Sequence, residues 1–291
     1  LRQYQSLGVT FHPARTAIFA RRIMAVAEEM GEMLARLARS VSIRERRDFS
    51  CAVFDARGNL VANAPHVPVH LGAMGETVRE LLAHKERELQ PGQAWLSNDP
   101  YSGGSHLPDI TVMMPVYEAG ERIAFVATRG HHIDIGGTHP GSMPPNAKHI
   151  SEEGMLWHHQ KWLEDDTFCP IDLSASRQPI DVRADLEAQA AACLLGVKKI
   201  ARLCETLKKD VFVAQLKHVQ DHAERVCLRW MRENQGSYQA AEKISGDLVV
   251  QVGIEISANN GLLELSAMKS PSNLNTPKSV ARAFRPPASR H

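Results

Sequence analysis

Two runs rich in β-branched and apolar residues, ITVMMPVY at 110–117 and IAFVATRG at 123–130, are separated only by EAGER, a short connector centred on Gly120. Such runs around a glycine turn predict a β-hairpin. The hairpin fixes a register: positions whose numbers sum to 240 face each other, so Asp109 stands opposite His131. Directly opposed residues bring their Cβ atoms to about 4.5–5.5 Å. His106, just before Pro108, is placed to curl back over the same end. Two imidazoles and a carboxylate therefore meet where the hairpin opens.

That residue set suits a divalent metal with positions left for water and substrate. The alternative reading is structural, in which strand-end histidines cap neighbouring carbonyls. Seven of the fourteen histidines fall between His106 and His159, so some proximity is expected without any function. His132 follows His131 on a strand and so points to the opposite side. Gly136, Gly137 and Gly141 form a glycine-rich stretch, but the Lys-Ser/Thr of a phosphate-binding loop does not follow, which argues against nucleotide binding here. His66 and His70 flank Pro68 on an expected loop and read as structural. His139 and His149 have no geometric claim on the hairpin end.

The rest of the chain predicts an α+β fold. Ile23, Ala27, Met30, Leu34 and Leu37 recur at helical spacing within 15–39, FSCAVFDARGNLVANAP reads as a hairpin turning at 55–59, and residues 71–89 resume a helical pattern ended by Pro91-Gly92. QAWLS is a further strand. Two helices follow one another between 183 and 234, with Asp210 near their junction, and a second hairpin is expected at 247–268 around Asn259-Asn260-Gly261. Mixed β-hairpins and sheet flanked by an N-terminal helix and a long helical hairpin are the expected architecture. The expected divisions are a metal-site region at 1–180, the helical hairpin at 181–240 and the start of a β segment at 241–291.

Composition narrows the function classes. A chain of 291 residues with 43% hydrophobic and 23% charged content has material for a real core. A net charge of +1 with interspersed signs gives no footprint for nucleic acid or an anionic membrane. Five cysteines without CxxC spacing fit a reducing, cytoplasmic setting. No run reaches the length of a membrane span and no leader opens the chain. A first residue other than Met is expected of a fragment.

The blocks IRERRDFSCAVFD, APHVPVHLGAM, LSNDPYSGGSHLPDITVMMPV and RGHHIDIGGTHPGSMPP resemble the signature blocks of the hydantoinase B and ATP-dependent 5-oxoprolinase family, in order from about Phe19 to about Ala281. In the related acetone carboxylases the large subunit carries a divalent metal on a His-x-x-Asp pair plus a later histidine. The resemblance thus implies a metal on His106, Asp109 and His131, as Mn²⁺ or Zn²⁺ with Mg²⁺ as a further option. It also implies orienting or proton-transfer roles for His132 or Asp134. Asp48 is another candidate for that duty, with an ion pair to Arg46 or Arg47 as its structural alternative.

The activity implied is ATP-driven opening of 5-oxo-L-proline to L-glutamate, a small cyclic amide being the substrate. ATP is bound by a hydantoinase A-like partner of actin-like fold. An N-methylhydantoinase or a ketone carboxylase subunit are alternatives, as is an inactive truncated remnant, because FRPPASRH ends the chain where the family continues. Exposed apolar surface near that end is expected to drive oligomerisation.

Overall fold

The computed structural model describes residues 10–141, 144–245, 248–257, 262–269 and 280–283. The chain divides into two compact units, with the boundary between Gln220 and Asp221. In the first, seven antiparallel strands pair in the order β2-β1-β5-β4-β3-β6-β7. They are β1 (Phe49–Asp55), β2 (Leu60–Asn63), β3 (Ala94–Ser97), β4 (Asp109–Glu118), β5 (Glu121–His131), β6 (Gln160–Glu164) and β7 (Thr167–Phe168). The helices are α1 (Pro13–Leu37), α2 (Val41–Arg44), α3 (Pro68–Lys85), α4 (Pro179–Leu207) and α5 (Lys209–Glu233), the last crossing the unit boundary. The unit is α+β, as the sequence predicts.

Strand alternation sorts side chains onto two faces, and each face has its own helical cover. Phe49, Cys51 and Val53 of β1, Ile110, Val112 and Met114 of β4, and Val126 of β5 enter one core with Ile23, Met30 and Leu34 of α1 and Leu186, Ala190 and Cys193 of α4. Ala52, Phe54, Met113, Phe125 and Ala127 take the opposite face and pack on Met74, Val78 and Leu81 of α3. The central strands are buried on both sides, which explains their unbroken apolar runs. Gly196 lets α1 and α4 approach closely, since a Cβ there would lie 2.5 Å from Met30 Sδ.

The β4–β5 hairpin has the expected register, with Asp109 opposite His131 through to Val116 opposite Ala124, then a bulge before Tyr117. Its turn is Ala119-Gly120, with φ of 50° and 79°, the left-handed pair that a tight hairpin requires.

Several expectations need correction. Helix α3 begins at Pro68, because proline's fixed φ suits a first helical position; His70 is therefore in a helical first turn and not on a loop. The helix ends at Lys85, before Pro91-Gly92, as the chain turns to bury Leu89 in the second core. The β6–β7 hairpin escaped notice although Asp165 and Asp166 form its two-residue turn, both with positive φ. Helix α4 does not stand apart with α5: it is a layer of the first unit, because its Val182, Leu186, Ala190 and Ile200 are buried in that unit's core. Lys208, with φ of 68°, separates α4 from α5.

The second unit holds β8 (Gly236–Ser245), β9 (Leu248–Ser257), β10 (Leu262–Lys269) and β11 (Val280–Ala283), antiparallel in the order β11-β10-β9-β8. β9 and β10 pair as expected. Edge strand β8 carries too few apolar residues to have been read from sequence. The Asn259-Asn260-Gly261 turn and the final Pro-rich stretch lie outside the described residues. No helix among the described residues is long and apolar enough to cross a membrane.

Candidate metal centre

The site occupies the α3 side of the sheet, at the open end of the β4–β5 hairpin. Asp109, Thr111, Arg129 and His131 share that face by parity with Met113 and Ala127. His106 Nε2 and His131 Nδ1 each lie 3.0 Å from Asp109 Oδ1. One donor atom from each of the three residues falls within 4.8 Å of the others. Ligands about 2.1 Å from one ion sit about 3 Å apart at right angles, so two imidazoles and one carboxylate at this spacing fit a divalent metal. The ring planes of His106 and His131 are tilted by 35°, with centroids 5.0 Å apart.

Asp109 is buried, while His106 and His131 are half-buried. Burial alone would raise the Asp109 pKa. Bonds from His106, His131, His70 and Ser105 outweigh it and hold the carboxyl far below its usual range. The same contact raises the His131 pKa against the opposing effect of burial. Asp109 is therefore a fixed carboxylate with both oxygens aimed at donors.

One of those donors was misjudged from sequence. His70 Nε2 lies 3.3 Å from Asp109 Oδ2 and 3.9 Å from Asp48 Oδ1, and Ser50 Oγ lies 3.4 Å from its Nδ1. His70 is thus part of the cluster, held by the first turn of α3. Ser105 Oγ bonds the same Asp109 oxygen. Arg129 was also missed: it is buried, with Nε on Thr111 Oγ1 at 2.8 Å and Nη2 on Thr77 Oγ1 at 2.8 Å and the Gly103 carbonyl at 2.9 Å. Burial pulls its pKa down to about 10, opposed by Asp109, which leaves it charged. Its signal in the sequence was its parity with His131.

The other candidates lie differently. Asp48 faces His70, while Arg47 pairs with Glu32 instead. His132 turns to the α4 face, where its Nε2 lies 2.9 Å from Gln189 Oε1; Gln189 Nε2 donates to the Ile110 carbonyl, so the amide oxygen must face the ring. Asp134 is taken up by Arg177 at 3.1 Å and by the Gly136 N–H at 2.8 Å. His132 and Asp134 thus have partners away from Asp109.

His66 is structural and gives a pH prediction. Its Nδ1 accepts from Cys51 N at 3.1 Å, and burial, with Arg47 adding, lowers its pKa from 6.5 to about 4. The unfolded ring takes up a proton first as pH falls, so the stability from His66 is complete above pH 6.5 and is lost progressively toward pH 4. Thermal melts across that window should show the decline, and His66→Gln should make it shallower.

Fold and cluster together define an α+β protein with a two-histidine, one-carboxylate centre at the end of an antiparallel sheet. The chain belongs to the Hydantoinase B/oxoprolinase family, whose model matches residues 12–285. It is 44% identical over 216 residues to the 5-oxoprolinase of Dictyostelium discoideum, an alignment covering 73% of this chain and 17% of that protein. The chain thus spans under a fifth of that relative's length. Its fold matches the ATP-dependent caprolactamase of Pseudomonas jessenii with a TM-score of 0.75 at 24% identity, over 90% of this chain and 46% of the other. It also matches a nucleotide-free acetone carboxylase with a TM-score of 0.77 at 18% identity, over 87% of this chain and 37% of the other.

Proposed function

We propose that this chain is the hydantoinase B-type portion of an ATP-dependent 5-oxoprolinase and takes part in opening 5-oxo-L-proline to L-glutamate. The observation that carries the reading is the pair of 3.0 Å contacts that gather His106 and His131 on one oxygen of Asp109. The identity to the 5-oxoprolinase relative, 44% over 216 residues, supports the choice of substrate.

A lactam carbonyl is resonance-stabilised and resists water, so the ring must be activated before it opens. ATP supplies that activation through a hydantoinase A-like, actin-like partner, with ADP and phosphate as its products. His106, Asp109 and His131 hold a divalent ion, Mn²⁺ or Zn²⁺; their nitrogen ligands disfavour Mg²⁺. When bound, the ion supplies Lewis acidity toward water or a carbonyl oxygen. His70 and Ser105 fix the second oxygen of Asp109 and so orient the carboxylate. Asp48 Oδ1, 3.9 Å from His70 Nε2, adds a second negative charge that helps orient the same ring. His132, bonded to Gln189 behind the sheet, positions the strand end from the α4 side.

The test is reconstitution with the ATP-binding partner and the remaining hydantoinase B segment. Glutamate release that needs ATP and a divalent ion is the expected result. No glutamate from 5-oxoproline, with turnover of a hydantoin or a ketone instead, would remove the substrate assignment.

A further inference from the structure

A second histidine cluster is left unused by this chemistry, and its reading does not rest on the proposed function. His84 stands in the last turn of α3, and His158 and His159 precede β6. One ring nitrogen from each lies within 4.8 Å of the other two. The rings of His158 and His159 have centroids 4.3 Å apart, and His84 is 5.4 Å and 5.7 Å from them respectively.

The hydrogen bonds choose the tautomers. His84 Nδ1 lies 2.9 Å from the Glu80 carbonyl; a carbonyl only accepts, so Nδ1 carries the hydrogen and Nε2 keeps its lone pair. His158 Nδ1 lies 2.9 Å from Asp99 Oδ2, which leaves its Nε2 in the same condition. Asp99 is itself held by the Tyr101 N–H at 2.9 Å. Its Oδ2 also lies 3.3 Å from Ser102 Oγ. A carbonyl or carboxylate behind each imidazole is the arrangement that orients metal-binding histidines.

His159 supplies the independent observation. It is 1% exposed, and neither of its ring nitrogens has a hydrogen-bond partner among the described residues. Leaving a buried polar group unpaired is costly, and an ion shared with the neighbouring rings gives one of the two nitrogens a partner.

We propose that His84, His158 and His159 form a second metal site, taking Zn²⁺ through three imidazole nitrogens, with Asp99 and the Glu80 carbonyl orienting two of them. An all-nitrogen set suits Zn²⁺ and not the oxygen-seeking Mg²⁺ or Ca²⁺. Three protein ligands leave the fourth tetrahedral position open to water or a small ligand. The ion ties the end of α3 to the segment entering β6, and through Asp99 to the connection that carries His106.

Zinc content of the full chain, measured after equilibration with Zn²⁺ and gel filtration, tests this. In an Asp109→Asn chain a single zinc is expected to remain, and adding His84→Gln with His158→Gln should remove it. Both histidines are exposed, so circular dichroism should confirm an unchanged fold. Asp99→Asn should weaken zinc binding by about 10–100-fold. Unchanged zinc content after the two histidine substitutions, or no zinc in the Asp109→Asn chain, would overturn the proposal.

Discussion

Asp109→Asn is expected to lower ATP-dependent glutamate release by the reconstituted enzyme about 10³-fold or more, with the fold retained. The substitution keeps the shape of the side chain and removes its charge. Among the described residues Asp109 is the carboxylate in contact with all three of His106, His131 and His70, while Asp48 reaches only His70, at 3.9 Å. A Lewis-acid centre supplies several kcal/mol to a reaction of this kind, and each 1.36 kcal/mol is tenfold in rate. His70→Ala should fall short of that, at about 10–100-fold, because His70 orients the carboxylate from behind. Glutamate assays on both variants, with circular dichroism as the fold control, check the order. Equal losses would place His70 in direct contact with the reacting groups.

Gly103→Val carries the largest expected effect on stability. Gly103 has φ of +82°, and a Cβ there would lie 2.3 Å from the Thr77 backbone nitrogen. Neither group is the end of a flexible side chain, so the 98–108 connection must move away from α3. Left-handed backbone in a β-branched residue and overpacking each cost about 1–3 kcal/mol, or ~3 kcal/mol and more together. The Gly103 carbonyl also accepts from buried Arg129 and from Thr77 Oγ1, so the displacement leaves a buried guanidinium short of partners. Thermal unfolding should show a drop of several degrees. Gly92→Ala is the useful contrast, since Gly92 also has positive φ but nothing within 4 Å of its would-be Cβ.

The central hairpin was legible because two properties coincided: period-two side-chain alternation and a glycine that fixed the turn. From those alone Asp109 and His131 fall opposite each other. His70 was not legible in the same way, because Pro68 reads as loop punctuation in the sequence and in the fold occupies the first position of α3. The spacing of Leu71, Met74 and Val78 behind it was the available signal. Asp134 misled for the opposite reason: only three residues beyond His131, it lies past the strand end and pairs with Arg177. Nearness in sequence implies nearness in space only while the strand continues. The cluster of His84 with His158 and His159 joins residues far apart in the chain, and no periodicity connects α3 with the approach to β6.

Metal content per chain tests most directly whether His106, Asp109 and His131 hold a divalent ion. The measurement belongs in a His84→Gln/His158→Gln background, so that the second cluster contributes nothing. A single Mn²⁺ or Zn²⁺ retained by the chain with Asp109 intact, and none retained by its Asp109→Asn counterpart, is the predicted result. Equal metal content in the two chains would contradict the assignment.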